Sequence, residues 1–187
     1  MRKREIKRDD KKLGELILLI SEWSQADQRF GATKLNKLLF HSDFTAFLDL
    51  GVPITGHEYF ALPQGPAPKF LKPVTETMKK NQELAYQQFS YYGRTQQRPI
   101  ALRSPDVNVF SQNELNIVHH TVQRFWNMNA TEISDHSHLF LGWKVARLKE
   151  VIPYNTALIS RRPPTAAERS YGLTLQALAE SHLSAHR

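Results

Sequence analysis

The densest group of chemistry-bearing side chains is Ser134-Asp135-His136-Ser137-His138, five residues that hold the three residue types of a hydrolytic triad. Triads converge from distant loops, however, and no Gly-x-Ser-x-Gly elbow is present to expose a serine nucleophile. The simpler expectation is local: Ser and Asp at a helix start satisfy free amides, and His138 donates to a carbonyl or carboxylate. Zinc asks for three or four ligands at fixed geometry, as His-Glu-x-x-His delivers, and that spacing is missing. The adjacent His119 and His120 point to different sides of a helix, while His41 and His57 fall on separate elements. Neither glycine-rich phosphate motif occurs. The expectation is a protein that is not an enzyme and takes no metal or other cofactor.

Lys34, Lys37, Lys69, Lys72, Lys79 and Lys80, with Tyr91 and Tyr92, supply the residue types of a nucleic-acid stripe. No binding module's spacing accompanies them, so scattered surface lysines are the plainer reading. The net charge is +7, and the first twelve residues contribute +4 of it through seven Lys/Arg against three acids. Such a balance attracts nucleic acid, acidic proteins and anionic membranes alike and does not choose among them.

The elements that position these groups follow from apolar spacing. Leu13, Leu16, Ile17, Ile20 and Trp23 recur at three and four and predict a first helix. After a break at Gly31, Thr33 to Leu50 repeats the pattern, with Gly51 and Pro53 as stop signals. Val52 to Leu62 reads as a strand or extended arm. The Pro-rich LPQGPAP that follows reads as a rigid turn outside any ladder. A helix restarts near Pro68, with Pro73 delaying or kinking it, and Leu84–Tyr92 and Pro99–Arg103 flank GRTQQ as a hairpin.

Ser111-Gln-Asn-Glu114 is a capping box ahead of Leu115, Val118, Val122 and Phe125. Helical turns follow at TEISDHSH and GWKVARLKE, and Ile152-Pro153-Tyr154 ends the compact part. RRPP then interrupts the chain before Thr165-Ala-Ala-Glu168, a second capping box, opens a last helix with Tyr171, Leu175 and Leu178. That helix either packs on the core or waits for a partner.

The 187 residues suit one domain, and 41% hydrophobic content is enough for a core. The absence of cysteine excludes disulfides, thiolate chemistry and Cys-ligated metals, which fits a cytoplasmic protein. No apolar run approaches the ~18 residues of a membrane span. The expected fold is mainly α, of the α+β kind: a compact helical domain with a small β-hairpin or three-stranded antiparallel element. Residues 1–12 read as a basic extension, 13–160 as the domain and 161–187 as a Pro-led helical extension.

Taken in order, FGATKLNKLLFHSDF, GVPITGHEYFALPQGPAPKFLKPV, LRSPDVNVFSQNEL, ATEISDHSH with a following GW, and IPYNTALIS resemble the SocA-like Panacea domain. The likeness runs over about Leu13 to Ser160. It implies an antitoxin of a bacterial or prophage toxin-antitoxin pair, in a family that also includes phage-associated proteins. Such a protein neutralises a cognate toxin encoded nearby by direct binding. The alternatives are an adaptor that delivers the toxin to the ClpXP protease and a DNA-binding regulator of its own operon.

Positions matching the family pattern are Thr33, Lys34, Leu35, Asn36, Lys37, Asp43, Gly56, Tyr59, Pro63, Gly65, Pro66 and Pro68. Later matches are Ser134, Asp135, Ser137, His138, Trp143, Ile152, Pro153 and Tyr154. Most read as scaffold, with Asn36, Asp43, Ser134 and His138 expected in one buried polar network. His41-Ser42 departs from the pattern. The partner surface is expected on exposed aromatic and basic positions, namely Lys37, Phe40, Tyr59 and Phe60.

Overall fold

The computed structural model describes residues 6–91, 94–159 and 165–184. Asp9 caps α1 (Asp10–Trp23), its carboxylate accepting from the Lys12 amide at 2.8 Å. α2 (Ala32–Leu50) ends on Gly51, whose left-handed φ of 76° lets its amide close on the Phe47 carbonyl. β1 (Tyr59–Leu62), β2 (Gly65–Pro68), α3 (Leu71–Lys80), β3 (Leu84–Tyr91) and β4 (Arg94–Ala101) follow. A 3-10 turn (Val107–Val109) leads to α4 (Gln112–Arg124), α5 (Ala130–His138), α6 (Leu141–Val145) and β5 (Val151–Ile152). A second 3-10 turn (Tyr154–Leu158) and α7 (Ala166–Ser184) complete the order.

The fold is mainly α with two small antiparallel sheets, one of order β2-β1-β5 and one the β3-β4 hairpin. α2 is the centre, packed by α1, α4, α5, β2 and the second 3-10 turn. Leu35, Leu38, Leu39, Phe40 and Phe44 of α2 meet Leu16, Ile17 and Ile20 of α1 and Val118, Val122 and Phe125 of the α4 region in one core. The expected capping box on α4 is present, and α5 has its own: Asn129 accepts from the Thr131 and Glu132 amides, and Glu132 reaches back to the Asn129 amide.

Several expectations are corrected. The Pro-rich 62–68 segment does join a ladder, with Tyr59 opposite Pro68 and Leu62 opposite Gly65. The bond from Lys69 N–H to Glu58 O fixes the alternation, so Ala67 and Gly65 face β1 while Pro66 and Pro68 turn their nitrogens outward. A proline costs an edge strand nothing there. The helix expected through GWKVARLKE stops at Val145, because Ala146 is extended and Arg147 to Glu150 form a turn that Glu150 caps.

Residues 6–12 are not a free extension. The Asp9 amide donates to Thr55 O, Gly56 lies against the Lys7 carbonyl, and α1 begins three residues early. The RRPP interruption at 161–164, Tyr92 and Ser160 lie outside the described residues. In α7 the described side chains are exposed. Among the described residues no helix is long and apolar enough to cross a membrane.

Candidate functional site

Lys34 and Lys37 rise from the first turns of α2 into the protein. All three donors of the Lys34 ammonium are used, on Asp27 Oδ2 at 2.6 Å and on the carbonyls of Trp126 and Met128 at 2.8 Å each. Desolvation lowers its pKa, and Asp27 opposes the shift. The lysine therefore ties the start of α2 to the α4–α5 connection. Lys37 Nζ donates to Pro66 O at 2.9 Å, the carbonyl that the strand parity turns away from β1, and burial pushes its pKa down to about 8.

Nearly two turns further, Asp43 is fully buried and accepts three hydrogen bonds: from Thr55 N at 2.7 Å, Thr55 Oγ1 at 2.5 Å and Tyr59 OH at 2.7 Å. Desolvation raises its pKa, and these hydrogen bonds oppose the rise. Tyr154 OH donates to His57 O at 2.6 Å, and its ring packs on Phe44 with centroids 4.6 Å apart. Asp43 thereby fixes the 54–59 arm on α2.

The expected single polar network is not formed. Asp43 belongs to the Thr55–Tyr59 group, whereas Asn36 Oδ1 has no hydrogen-bond partner. Ser134 and Ser137 are not at a helix start; their hydroxyls donate back to Ala130 O and Ser134 O, both at 2.7 Å. His138 stacks on Trp143 with centroids 4.1 Å apart, and Trp143 Nε1 donates to Leu62 O at 3.0 Å. Asp135 is largely exposed, 4.0 Å from His138 Nδ1. Both serine hydroxyls are thus turned into their own helix rather than toward a base.

His41 stacks on Phe125 at 4.5 Å, and its centroid lies 5.3 Å from that of His136. Burial, with the like charges of His136 and Arg124, lowers its pKa to about 3. Among the described residues no group of three or more His, Asp or Glu is gathered for a metal. Gly65 sits at φ 92°, where an added Cβ would collide with Ser137 Oγ, and Gly56 at φ 67° against the Lys7 carbonyl. Pro66 and Pro68 are buried; Thr33 and Tyr154 are half-buried, and Pro63 and Pro153 are exposed.

Lys37, Phe40 and Tyr59 are not the exposed anchors expected of a partner surface. Phe40 has no exposed area and is ringed by Phe44, Tyr59 and Phe140, Tyr59 is equally buried, and only Phe60 of the four is partly exposed, with Lys69 over its ring. The reason is that α2 carries apolar residues around its whole circumference, the pattern of a helix buried on all sides. The lysine stripe fails similarly: Lys34 and Lys37 are internal, Lys69, Lys72, Lys79 and Lys80 stand at or near α3, and the side chains of Tyr91 and Tyr92 lie outside what is described.

Exposed apolar side chains lie elsewhere, on α7 at Tyr171, Leu173, Leu175 and Leu178 and in a second group about α6. Leu139, Val145, Leu148, Leu158 and Ile159 are all about half-exposed or more, with Val145 at 73% and Leu148 at 66%. They belong to α6, its flanks and the second 3-10 turn, which pack together where Gly142 meets Thr156.

This is a mainly α domain whose motif residues brace α2 against two loops and a small sheet. The family model described as "Antitoxin SocA-like, Panacea domain" matches residues 35–144. The match covers more than half of the chain, and the chain belongs to that family. Thr33, Lys34, Ile152, Pro153 and Tyr154, which carry the family resemblance in sequence, fall outside the matched span. Neither the curated proteins nor the solved structures contain a match.

Proposed function

We propose that this chain is an antitoxin that neutralises a cognate toxin, encoded beside it, by direct protein-protein binding. The observation that carries the reading is the family match over residues 35–144, spanning most of α2 through most of α6. In this reading the chain is a cytoplasmic binding module rather than an enzyme, and the buried Lys34, Lys37 and Asp43 are scaffold. The contact surface is assigned to the exposed apolar side chains Val145, Leu148 and Leu158, because they cluster about α6 and the second 3-10 turn, which pack together, and exposed apolar area is characteristic of binding surfaces.

The test is growth of cells expressing the neighbouring gene with and without this chain, with toxin protein followed by immunoblot. Growth arrest by the neighbour, rescue by this chain and an unchanged toxin level support neutralisation by binding. Rescue accompanied by loss of the toxin points instead to delivery to a protease such as ClpXP. No arrest, or no rescue, removes the antitoxin reading.

A further inference from the structure

β3 has one edge paired and one edge open. The Leu102 amide donates to Glu83 O at 2.9 Å, which sets the alternation along the hairpin. Ala85, Gln87 and Phe89 turn their backbone groups toward β4, and Tyr86, Gln88 and Ser90 turn theirs outward. Among the described residues nothing accepts or donates at those outward groups.

Soluble proteins ordinarily blunt such an edge with charge, proline, a bulge or short length. The molecule does so at β2, where Pro66 and Pro68 occupy the outward positions, and at β4, which carries Pro99 outward and packs against α1. β3 meets α3 near its start, where the Tyr86 hydroxyl is bonded to Thr75, but it carries no charge, proline or bulge. LAYQQFSY is eight residues without charge, proline or glycine, paired with β4 in unbroken register, and its distal part from Gln87 to Ser90 is exposed.

We propose that the open edge of β3 is a self-association edge, pairing antiparallel with β3 of a second copy about a two-fold axis at Gln88 to make a four-stranded sheet. Antiparallel pairing on a two-fold is self-complementary. With the axis at Gln88, Tyr86 faces Ser90 of the copy and Gln88 faces its own equivalent, so every outward N–H and C=O of these three residues is satisfied. No charged side chain of β3 meets a like charge. In a chain of net charge +7 this matters, because repulsion disfavours most other self-contacts. The inference stands apart from the antitoxin reading.

Gln88 gives a test that leaves the hairpin intact, since its amide takes no part in the β3–β4 ladder. Gln88→Pro removes the central donor of the open edge, and Gln88→Lys sets two ammonium groups face to face. Light scattering of the full chain over a concentration series, with circular dichroism of each variant, reads the outcome. The expected result is twice the 21.6 kDa chain mass for the wild type and the single mass for both variants, with unchanged spectra. A wild type that stays monomeric, or a dimer that survives both substitutions, overturns the proposal. A monomeric wild type whose Gln88→Pro variant loses binding to the neighbouring gene product also overturns it, and assigns the edge to a strand of that partner.

Discussion

The Lys37 ammonium donates to the Pro66 carbonyl at 2.9 Å, and among the described residues no carboxylate is paired with it. The bond joins the centre of the fold to its proline-bearing edge strand and explains how a strand with two outward prolines keeps its outward carbonyl satisfied. It also leaves a charge in the interior at neutral pH.

That charge gives a signed pH dependence. Burial lowers the pKa of Lys37 from 10.5 to about 8, which corresponds to roughly 3 kcal/mol favouring the neutral amine in the fold. Below the folded value both states hold the proton and the cost is present in full. Between 8 and 10.5 the unfolded chain holds the proton and the folded chain has released it, so stability rises with pH across that window. Urea unfolding at both ends of the window is expected to show wild type gaining about 2 to 3 kcal/mol relative to Lys37→Met. Parallel pH profiles for the two proteins contradict the account.

Asp43 is the opposite kind of group, a buried acceptor saturated by donors. Asp43→Ala leaves Thr55 N–H, Thr55 OH and Tyr59 OH without their partner and is expected to cost roughly 3 to 5 kcal/mol of unfolding free energy. Tyr59→Phe removes one of the three and is expected to cost about 1.5 to 3 kcal/mol. Because both act on one group, the double variant is expected to lose less than the sum. Strict additivity in chemical denaturation means that the arm is held by something else.

Gly65 is required twice over, by its φ of 92° and by the closeness of Ser137 Oγ. Gly65→Ala is expected to destabilise by about 2 kcal/mol or more, and adding Ser137→Ala to recover only the steric part. Full recovery in the double variant, read as thermal midpoints, contradicts a backbone requirement at residue 65.

Much of the helical frame was legible because it rests on spacing. The three-and-four recurrence from Leu13 to Trp23, the Gly51 stop and the Ser111 capping box each map onto an observed element. What escaped was parity and burial. Proline content hid β2, since composition does not say which way each nitrogen points, and the ladder tolerates Pro66 and Pro68 only because they alternate with Gly65 and Ala67. Lys34 and Lys37 read as surface because lysine is rarely buried, and the carbonyls that hold them come from residues 29 to 94 positions away. Phe40 is internal because Leu38, Leu39 and Phe40 in succession are all buried and leave this part of α2 without a solvent face. Of Lys37, Phe40, Tyr59 and Phe60, only Phe60 retains access.

The most direct test of the central claim is the affinity of the purified chain for the purified product of the neighbouring gene, measured by titration calorimetry for wild type and for Val145→Asp/Leu148→Asp. The account predicts a stoichiometric complex with wild type and a loss of affinity of at least about 30-fold in the variant, equivalent to roughly 2 kcal/mol, with an unchanged thermal midpoint. No complex with wild type contradicts neutralisation by direct binding; an equally tight complex with the variant contradicts the surface assigned to it.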